Sequence, residues 1–353
     1  MPAVHRMIAR AGVLAAGFAA LVLAQATLGS VASAQDMPKV KLAIGGPSCI
    51  CYLPTVLAEQ LGFYSQAGVD VEMIALKGGS EALTAVLAGS ADVVSGYYEH
   101  TVRLRAKNKA LRSIVVYDQF PGLVLVVSPK HTDSISSIAD LAGKAVGVSA
   151  PGSATDYFLK YSLFKAGLDP QSASVSGVGL GSTAVAAMEQ GEIQAAVMLD
   201  PAVTLLKDRY PDLRILADTR SAEDTRATFG GDYPGGSFYA PVEWVEENPE
   251  AAQGLVDAMV MTLQWIQSHS PEEIAAAMPE DFKGGDPKLY LGALSNSLAM
   301  YSKTGLMDPK GAQAVHDVFA QFDPTIAEAK IDVTDTYTNA FVEAAMKKLG
   351  IQQ

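Results

Sequence analysis

The sequence predicts an α/β protein of two lobes, and three observations carry that prediction. Short apolar runs alternate with helix-patterned segments as far as about Pro234, the mark of parallel-sheet architecture. Two stretches about a hundred residues apart overlay without a gap. From Pro241 onward the pattern is mostly helical, with too few strands to build a lobe alone.

Residues 1–34 read as a leader rather than as fold. His5, Arg6 and Arg10 give a positive start, an alanine-rich apolar run spans Ala11 to Leu28, and Ala32-Ser33-Ala34 is a small-x-small cleavage pattern. The mature protein is therefore expected to begin near Gln35, without a lipid-anchoring cysteine at the cut, in a periplasm-like compartment. After Leu28 no apolar stretch approaches the roughly 18 residues that a membrane helix needs. The leader carries two of the 26 basic residues and none of the 38 acidic ones, so the remainder has a net charge of −14. Such a surface repels phosphate backbones and anionic headgroups, which argues against nucleic-acid binding and direct membrane insertion.

Strands are predicted at Val40 to Ile44, Val69 to Ala75, Asp92 to Ser95 and Ala145 to Ser149, with helices between them. The repeat is clearest in GGSEALTAVLAGSADVVSG at 78–96 and LGSTAVAAMEQGEIQAAVM at 180–198, which match at a constant offset of 102. A unit this long does not suit a solenoid, whose repeats run about 20–50 residues; it suits two facing lobes. Residues 35–125 and 126–234 are assigned to the first and second lobes, and 235–353 return to the first. The chain is expected to cross near Pro121 to Val127 and again near Tyr233 to Ala240. Pro249, Pro271, Pro287 and Pro309 stand at expected helix starts.

Three helices are expected to open with serine N-caps just after a strand, at Ser80, Ser153 and Ser182. Their free N–H groups would lie at the carboxyl edge of the sheets, where open α/β folds bind ligands. Strand-end loops add Tyr52, Tyr97, Tyr98, Glu99, Asp118, Asp200 and Tyr233, aromatic walls with a few fixed polar groups. Cys49 and Cys51, one residue apart, are expected as two thiols beside the site, since a bridge over so short a span is geometrically awkward. With His100 they lack a fourth ligand for a metal, and no metal or cofactor is predicted. The glycines at 177–181 mimic a dinucleotide fingerprint, but the repeat already explains them.

The text VLAEQLGFY at 56–64, AGVDVE at 67–72, the Gly-Ser block at 78–96, AGKAVGVSAPGSATDYFL at 142–159 and YTNAFV at 337–342 resembles the periplasmic solute-binding proteins of nitrate/sulfonate/taurine-type ABC importers. That superfamily is shared with thiamine-pyrimidine-precursor binders. The resemblance implies the type II periplasmic-binding-protein fold, two α/β lobes joined by a two-crossing hinge that closes on a small-molecule solute. It also implies a permease and ATPase complex as partner. It places ligand contacts at Ser48, Cys49 and Tyr52, at Gly79-Ser80, at Tyr97 to Glu99 and at Gly152-Ser153. The sequence departs from the family at Tyr52, Gln194, Ala340 and the Ser-Cys-Ile-Cys loop, which leaves the ligand open.

Helix N-termini favour a small organic anion. The absence of arginine from the predicted loops, with Glu99, Asp118, Asp200 and Asp232 clustered there, favours a planar or aromatic donor-bearing molecule. No nucleophile–base motif stands out, so no enzyme is predicted; a pyrimidine-synthesis-like enzyme and a sensor-type binding protein are the alternatives on the same fold.

Overall fold

Each of two five-stranded sheets takes its antiparallel strand from a segment that has just crossed over from the other. The computed structural model describes residues 37–283 and 285–351, so the predicted leader and its cleavage site near Ala34 lie outside the described residues. The first sheet contains β1 (Lys39–Gly45), β2 (Asp70–Leu76), β3 (Val93–Tyr97), β4 (Leu111–Val116) and, from late in the chain, β10 (Gly236–Pro241). The second contains β5 (Val124–Val127), β6 (Ala145–Val148), β7 (Ser174–Gly177), β8 (Ala195–Met198) and β9 (Ile215–Asp218).

The orders are β2-β1-β3-β10-β4 and β7-β6-β8-β5-β9. The two sheets share one plan, with β5 standing in the second where β10 stands in the first. β1 runs parallel to β2 and β3, and β6 parallel to β7 and β8, while β10 and β5 run antiparallel to their neighbours. Within this plan the overlaid repeats become the helix Gly79–Leu87 leading to β3, and the helix Ser182–Gln190 leading to β8.

Burial explains the strands. β3 (VVSGY) and β5 (VLVV) are buried throughout, as interior strands covered on both faces should be, and both read as unbroken small or apolar runs. β2 (DVEMIAL) lies at the edge of its sheet and keeps Asp70, Glu72 and Ala75 exposed. The crossings themselves are shorter and earlier than the sequence suggested. Val124–Val127 and Gly236–Pro241 are not linkers but strands, because their apolar side chains are needed inside the sheets; the connections are the segments just before them.

The return block behaves as its prolines indicate. Pro249, Pro271, Pro287 and Pro309 each occupy the first turn of a helix, where a missing N–H costs nothing, and Pro324 does the same. Ser270, Asp286 and Asp308 cap three of these helices with side-chain oxygens. The long helix Pro249–Ser268 packs on the first lobe against Leu53–Gln60. The block also reaches the second lobe. The helix Pro287–Ser297 touches Ala202–Arg209, and Phe319 and Phe322 pack on Tyr157 and Tyr161 with ring centroids 5.4 and 5.9 Å apart.

The two crossings meet at Asp118 and Gly236. The Gly236 N–H donates to Asp118 Oδ2 at 3.2 Å, and the Gly235 N–H donates to the Asp118 carbonyl at 2.9 Å. A Cβ on Gly236 would overlap both the Tyr117 ring and the Asp118 carboxylate, side chains buried on every side. Gly236→Ala should therefore destabilise the fold by about 1–3 kcal/mol, the scale of overpacking a close-packed interior. Urea denaturation followed by circular dichroism measures this, and an unchanged midpoint would show that the crossings are slack.

Candidate functional site

Loops at the carboxyl ends of the parallel strands face one another across a seam between the lobes. At its centre the helices Gly79–Leu87 and Ala154–Lys165 meet at their N-termini. The Ser80 N–H donates to Ser153 Oγ at 3.0 Å, and Ser153 Oγ donates to Ser80 Oγ at 3.0 Å. The serines were expected to cap their own helices, and they do not. Ser80 and Ser182 lie inside the first turns, Gly78 and Gly181 occupy the cap positions, and Ser153 makes no cap bond within its own helix. Ser153 instead supplies its oxygen to an orphan N–H of the opposite lobe. Gly78 is part of the same close approach, since a Cβ there would stand 3.0 Å from Ala150 Cβ and 3.1 Å from Ser149 Oγ.

Other bonds join the lobes beside this pair. His100 Nε2 lies 3.3 Å from the Gly152 carbonyl, and its Nδ1 lies 2.6 Å from the Tyr239 hydroxyl. A carbonyl can only accept, so the proton is assigned to Nε2, and Nδ1 accepts from Tyr239. Burial, with the Arg103 charge second, lowers the His100 pKa to about 3, so the ring is neutral. The Ile50 N–H donates to the Asp200 carbonyl at 3.0 Å.

Three small chambers run along the seam, each with a volume of about 10 Å³, room for about one water. The central one is lined by Tyr52, Gly79, Tyr97, His100, Ser149 and Ser153. It shares Cys51 and Leu199 with a chamber at Asp200 and Arg220, and Tyr97, Leu123 and Ala154 with a chamber at Glu99 and Tyr233. The loops of the two lobes thus meet closely along the seam.

The sequence-predicted residues fall into distinct groups. Tyr52, Gly79, Tyr97, Glu99, Ser153, Asp200 and Tyr233 line the chambers, and Gly152 joins them through its carbonyl. Ser48 and Ser182 line a neighbouring cavity of about 140 Å³ with the residues around Phe282 and Tyr290, so the third serine is offset from the other two. Tyr98 points elsewhere: β3 ends at Tyr97, Tyr98 already has helical backbone angles, and its hydroxyl bonds Thr336 Oγ1 at 2.5 Å in the return block. Asp118 sits at the crossings. Asp200 has its carboxylate engaged, Oδ1 by the Thr204 N–H and hydroxyl and Oδ2 by Arg220 at 3.3 Å.

The cysteines correct the expectation of two thiols. Cys49 and Cys51 form a disulfide, and their Cα atoms are 5.2 Å apart. The bridge is reachable because Cys49 caps the 3₁₀ turn Ile50–Tyr52, where the Cys51 N–H donates to Cys49 Sγ at 3.3 Å. Arginine was also undercounted. Arg220 lines the seam, paired with Asp218 and Asp200, and Arg103 stacks on Tyr157 with its guanidinium carbon 3.4 Å from the ring centre. The spacing of Arg103 four residues after Glu99 signalled it; the chamber's Phe319 and Phe322, more than 200 residues away in sequence, gave no such signal.

Among the described residues no cluster of His, Cys, Asp and Glu is placed to hold a metal ion, and no helix is long and apolar enough to cross a membrane. The family model described as NMT1/THI5 like matches residues 51–274. The chain belongs to this family. A solved structure from Bordetella bronchiseptica RB50 is 39% identical, covers 89% of this chain and 99% of that one, and superposes with a TM-score of 0.86. The nitrate/nitrite binding protein NrtA of Nostoc sp. (strain PCC 7120) is 23% identical, over 71% of this chain and 60% of that protein. The alkanesulfonate-binding protein SsuA of Xanthomonas axonopodis pv. citri, solved bound to MOPS, is 16% identical, covers 87% of this chain and all of that one, and has a TM-score of 0.65. The fold is thus that of periplasmic binding proteins. It is also shared by a desulfurization enzyme, DszB, at 16% identity and a TM-score of 0.56, so the fold alone does not decide between binding and catalysis.

Glu99 is the anomalous group of the seam. Its side chain is 1% exposed, and neither carboxylate oxygen has a hydrogen-bond partner. Burial raises its pKa to about 7, opposed in part by the Arg103 charge and by its own backbone N–H, which lies near the carboxylate without the geometry of a full hydrogen bond. An acid whose folded pKa lies above its unfolded value holds its proton longer when folded, so folding loses stability as pH rises from about 4.5 to about 7. His100 works in the opposite sense, its contribution being lost as pH falls from about 6.5 towards about 3. Comparison with Glu99→Gln isolates the first effect. The variant should gain about 3 kcal/mol relative to the parent between about pH 4.5 and pH 7, read from urea melts. A difference that stays flat with pH would show that the carboxylate is solvated.

Proposed function

We propose that this chain is the solute-binding component of an ABC importer. It is exported, released after cleavage near Ala34, and captures a small organic solute between lobes 35–125 with 235–353 and 126–234. Hinge closure then presents the loaded form to a membrane permease and ATPase. The observation that carries this reading is the seam. Two sheets of one plan are joined by two crossings, with strand-end loops and opposed helix N-termini meeting face to face. Two crossings restrict relative motion to a hinge, and a ligand bridging the loops stabilises the shut form. Kinship with the NMT1/THI5-like family, whose fold relatives include NrtA and SsuA, supports it.

Chemistry at the seam supports binding over turnover. Both cysteine sulfurs are tied in a disulfide, so neither is a free nucleophile. The His100 ring has both nitrogens engaged, and its lowered pKa makes it a poor proton acceptor at neutral pH.

A thermal-shift panel of sulfonates, aromatic carboxylates, nitrate, aminopyrimidines and amines tests the proposal. A true solute should raise the melting temperature by mass action, an extra stability of about 2.7 kcal/mol at a hundredfold excess over Kd, and be recovered chemically unchanged. Conversion of a stabilising compound to product would overturn the transport reading in favour of an enzyme.

A further inference from the structure

This inference rests on the solute-binding reading and names the chemical class of the solute. The third chamber joins one unpartnered carboxylate to an aromatic lining. Glu99 offers both oxygens, and around it stand Tyr97 from β3, Tyr157 and Tyr161 from the helix Ala154–Lys165, Phe229 and Tyr233 before the return crossing, and Phe319 from the return block. The rings are layered: Phe229 stacks on Tyr233 with centroids 4.0 Å apart and on Tyr161 at 5.4 Å.

No protein cation is paired with Glu99 directly, although the Arg103 charge one turn away holds its pKa below the value that burial alone would give. Among the described residues no Arg or Lys nitrogen lies within ion-pairing distance of it. Arg103, one turn along the same helix, spreads over the Tyr157 face, its two terminal nitrogens donating to the Tyr157 hydroxyl and, at 3.4 Å, to the Gly152 carbonyl, while its buried Nε has no partner. Lys160 is paired with Asp156 at 2.8 Å. His100 Nε2 is 3.9 Å from Glu99 Oε1, but its proton goes to Gly152. In its ionised form Glu99 is therefore an acceptor-only group with two vacant oxygens, lined by π faces that attract positive charge, as the stacked Arg103 demonstrates. A buried carboxylate left in this state is costly unless the ligand completes it. A quaternary ammonium has no N–H to give and would leave both oxygens unsatisfied.

We infer that the solute carries a protonated amine with free N–H donors on an apolar body, the ammonium seated on Glu99 and the body against the aromatic walls. The chamber's shared wall of Tyr97, Leu123 and Ala154 leads the rest of the molecule towards the Ser80–Ser153 pair. Three chambers of about 10 Å³ do not admit such a molecule in the shut form described, so it binds as the lobes part and the aromatic side chains separate around it.

Binding should follow the ionisation of Glu99. Burial moves the surrounding tyrosines, Tyr52, Tyr97, Tyr157, Tyr161, Tyr233 and Tyr239, upward and His100 downward, so none of them changes charge between about pH 6 and pH 8. Asp118, also raised by burial, sits behind Tyr97 at the crossings rather than in the chamber, and the Glu99 variant separates its titration from that of Glu99.

The test titrates the chain from Gln35 onward by calorimetry with three probes of one shape and different charge: phenethylammonium, phenethyl alcohol and phenylacetate. The ammonium should bind, about tenfold more tightly at about pH 8 than at about pH 6, with the alcohol and the carboxylate weaker by at least tenfold. Glu99→Gln should lose the ammonium preference while keeping its fold by circular dichroism. If that variant does not fold, the charge series on the parent protein decides by itself. Alcohol binding equal to ammonium binding, or a preference for the carboxylate, overturns the inference. So does a sulfonate, nitrate or neutral aminopyrimidine binding where the ammonium does not, and in that case the solute-binding reading stands. Failure of every class of solute to bind would instead remove the solute-binding reading itself.

Discussion

An orphan N–H at the start of the helix Gly79–Leu87 is satisfied by a hydroxyl from the other lobe, and the working of the seam follows from that fact. Helix N-termini leave several backbone donors without partners inside the helix. Most folds solve this locally, with a capping side chain on the same segment. Here the cap position is glycine, and Ser153 reaches across to serve Ser80. In the parted state that the proposed function requires, the same N–H would face water or a solute. Closure therefore exchanges one set of hydrogen bonds for another, and each such bond contributes about 0.5–1.5 kcal/mol net. A few bonds of this size, from Ser153, His100 and Ile50, hold the seam, a balance small enough for the proposed solute to tip.

Burial of acidic groups shapes the rest of the seam. Asp200 is fully engaged by Thr204 and Arg220, and Asp118 accepts from Gly236 through one oxygen. Glu99 has no hydrogen-bond partner on another residue. The gradient runs from a carboxylate used for structure at one end to a vacant one at the other, with the serine pair and neutral His100 between. On the inference drawn above, such an arrangement would orient an asymmetric molecule and disfavour a bare anion beside Glu99. In this respect the chain differs from what its helix N-termini alone suggest.

Much of this was legible in the sequence. Apolar runs located strands β1, β2, β3 and β6 to within two residues, the offset repeat revealed the common plan of the two sheets, and prolines marked the helices of the return block. Position along the chain was less informative about side-chain direction. Tyr97, Tyr98 and Glu99 are consecutive, yet Tyr98 turns to Thr336 while its neighbours face the seam. The antiparallel strands β5 and β10 hid inside the expected crossings because a buried strand and an apolar linker read alike. Capping could not be read either, since the partner of Ser80 lies 73 residues away in the opposite lobe. The aromatic chamber escaped notice for the same reason: Phe319 meets Tyr157 only through the tertiary fold.

The central claim is that these lobes part and shut about two crossings, with Ser80 and Ser153 meeting at the seam. The helices Gly79–Leu87 and Ala154–Lys165 end far from that meeting point, at Leu87 and Lys165, both exposed. Spin labels on Leu87→Cys and Lys165→Cys would report the separation of these ends by pulsed dipolar spectroscopy. The account predicts two distance populations without solute, collapsing towards one shorter distance when a stabilising solute is added. A single narrow distance, indifferent to a solute that demonstrably binds, would contradict it.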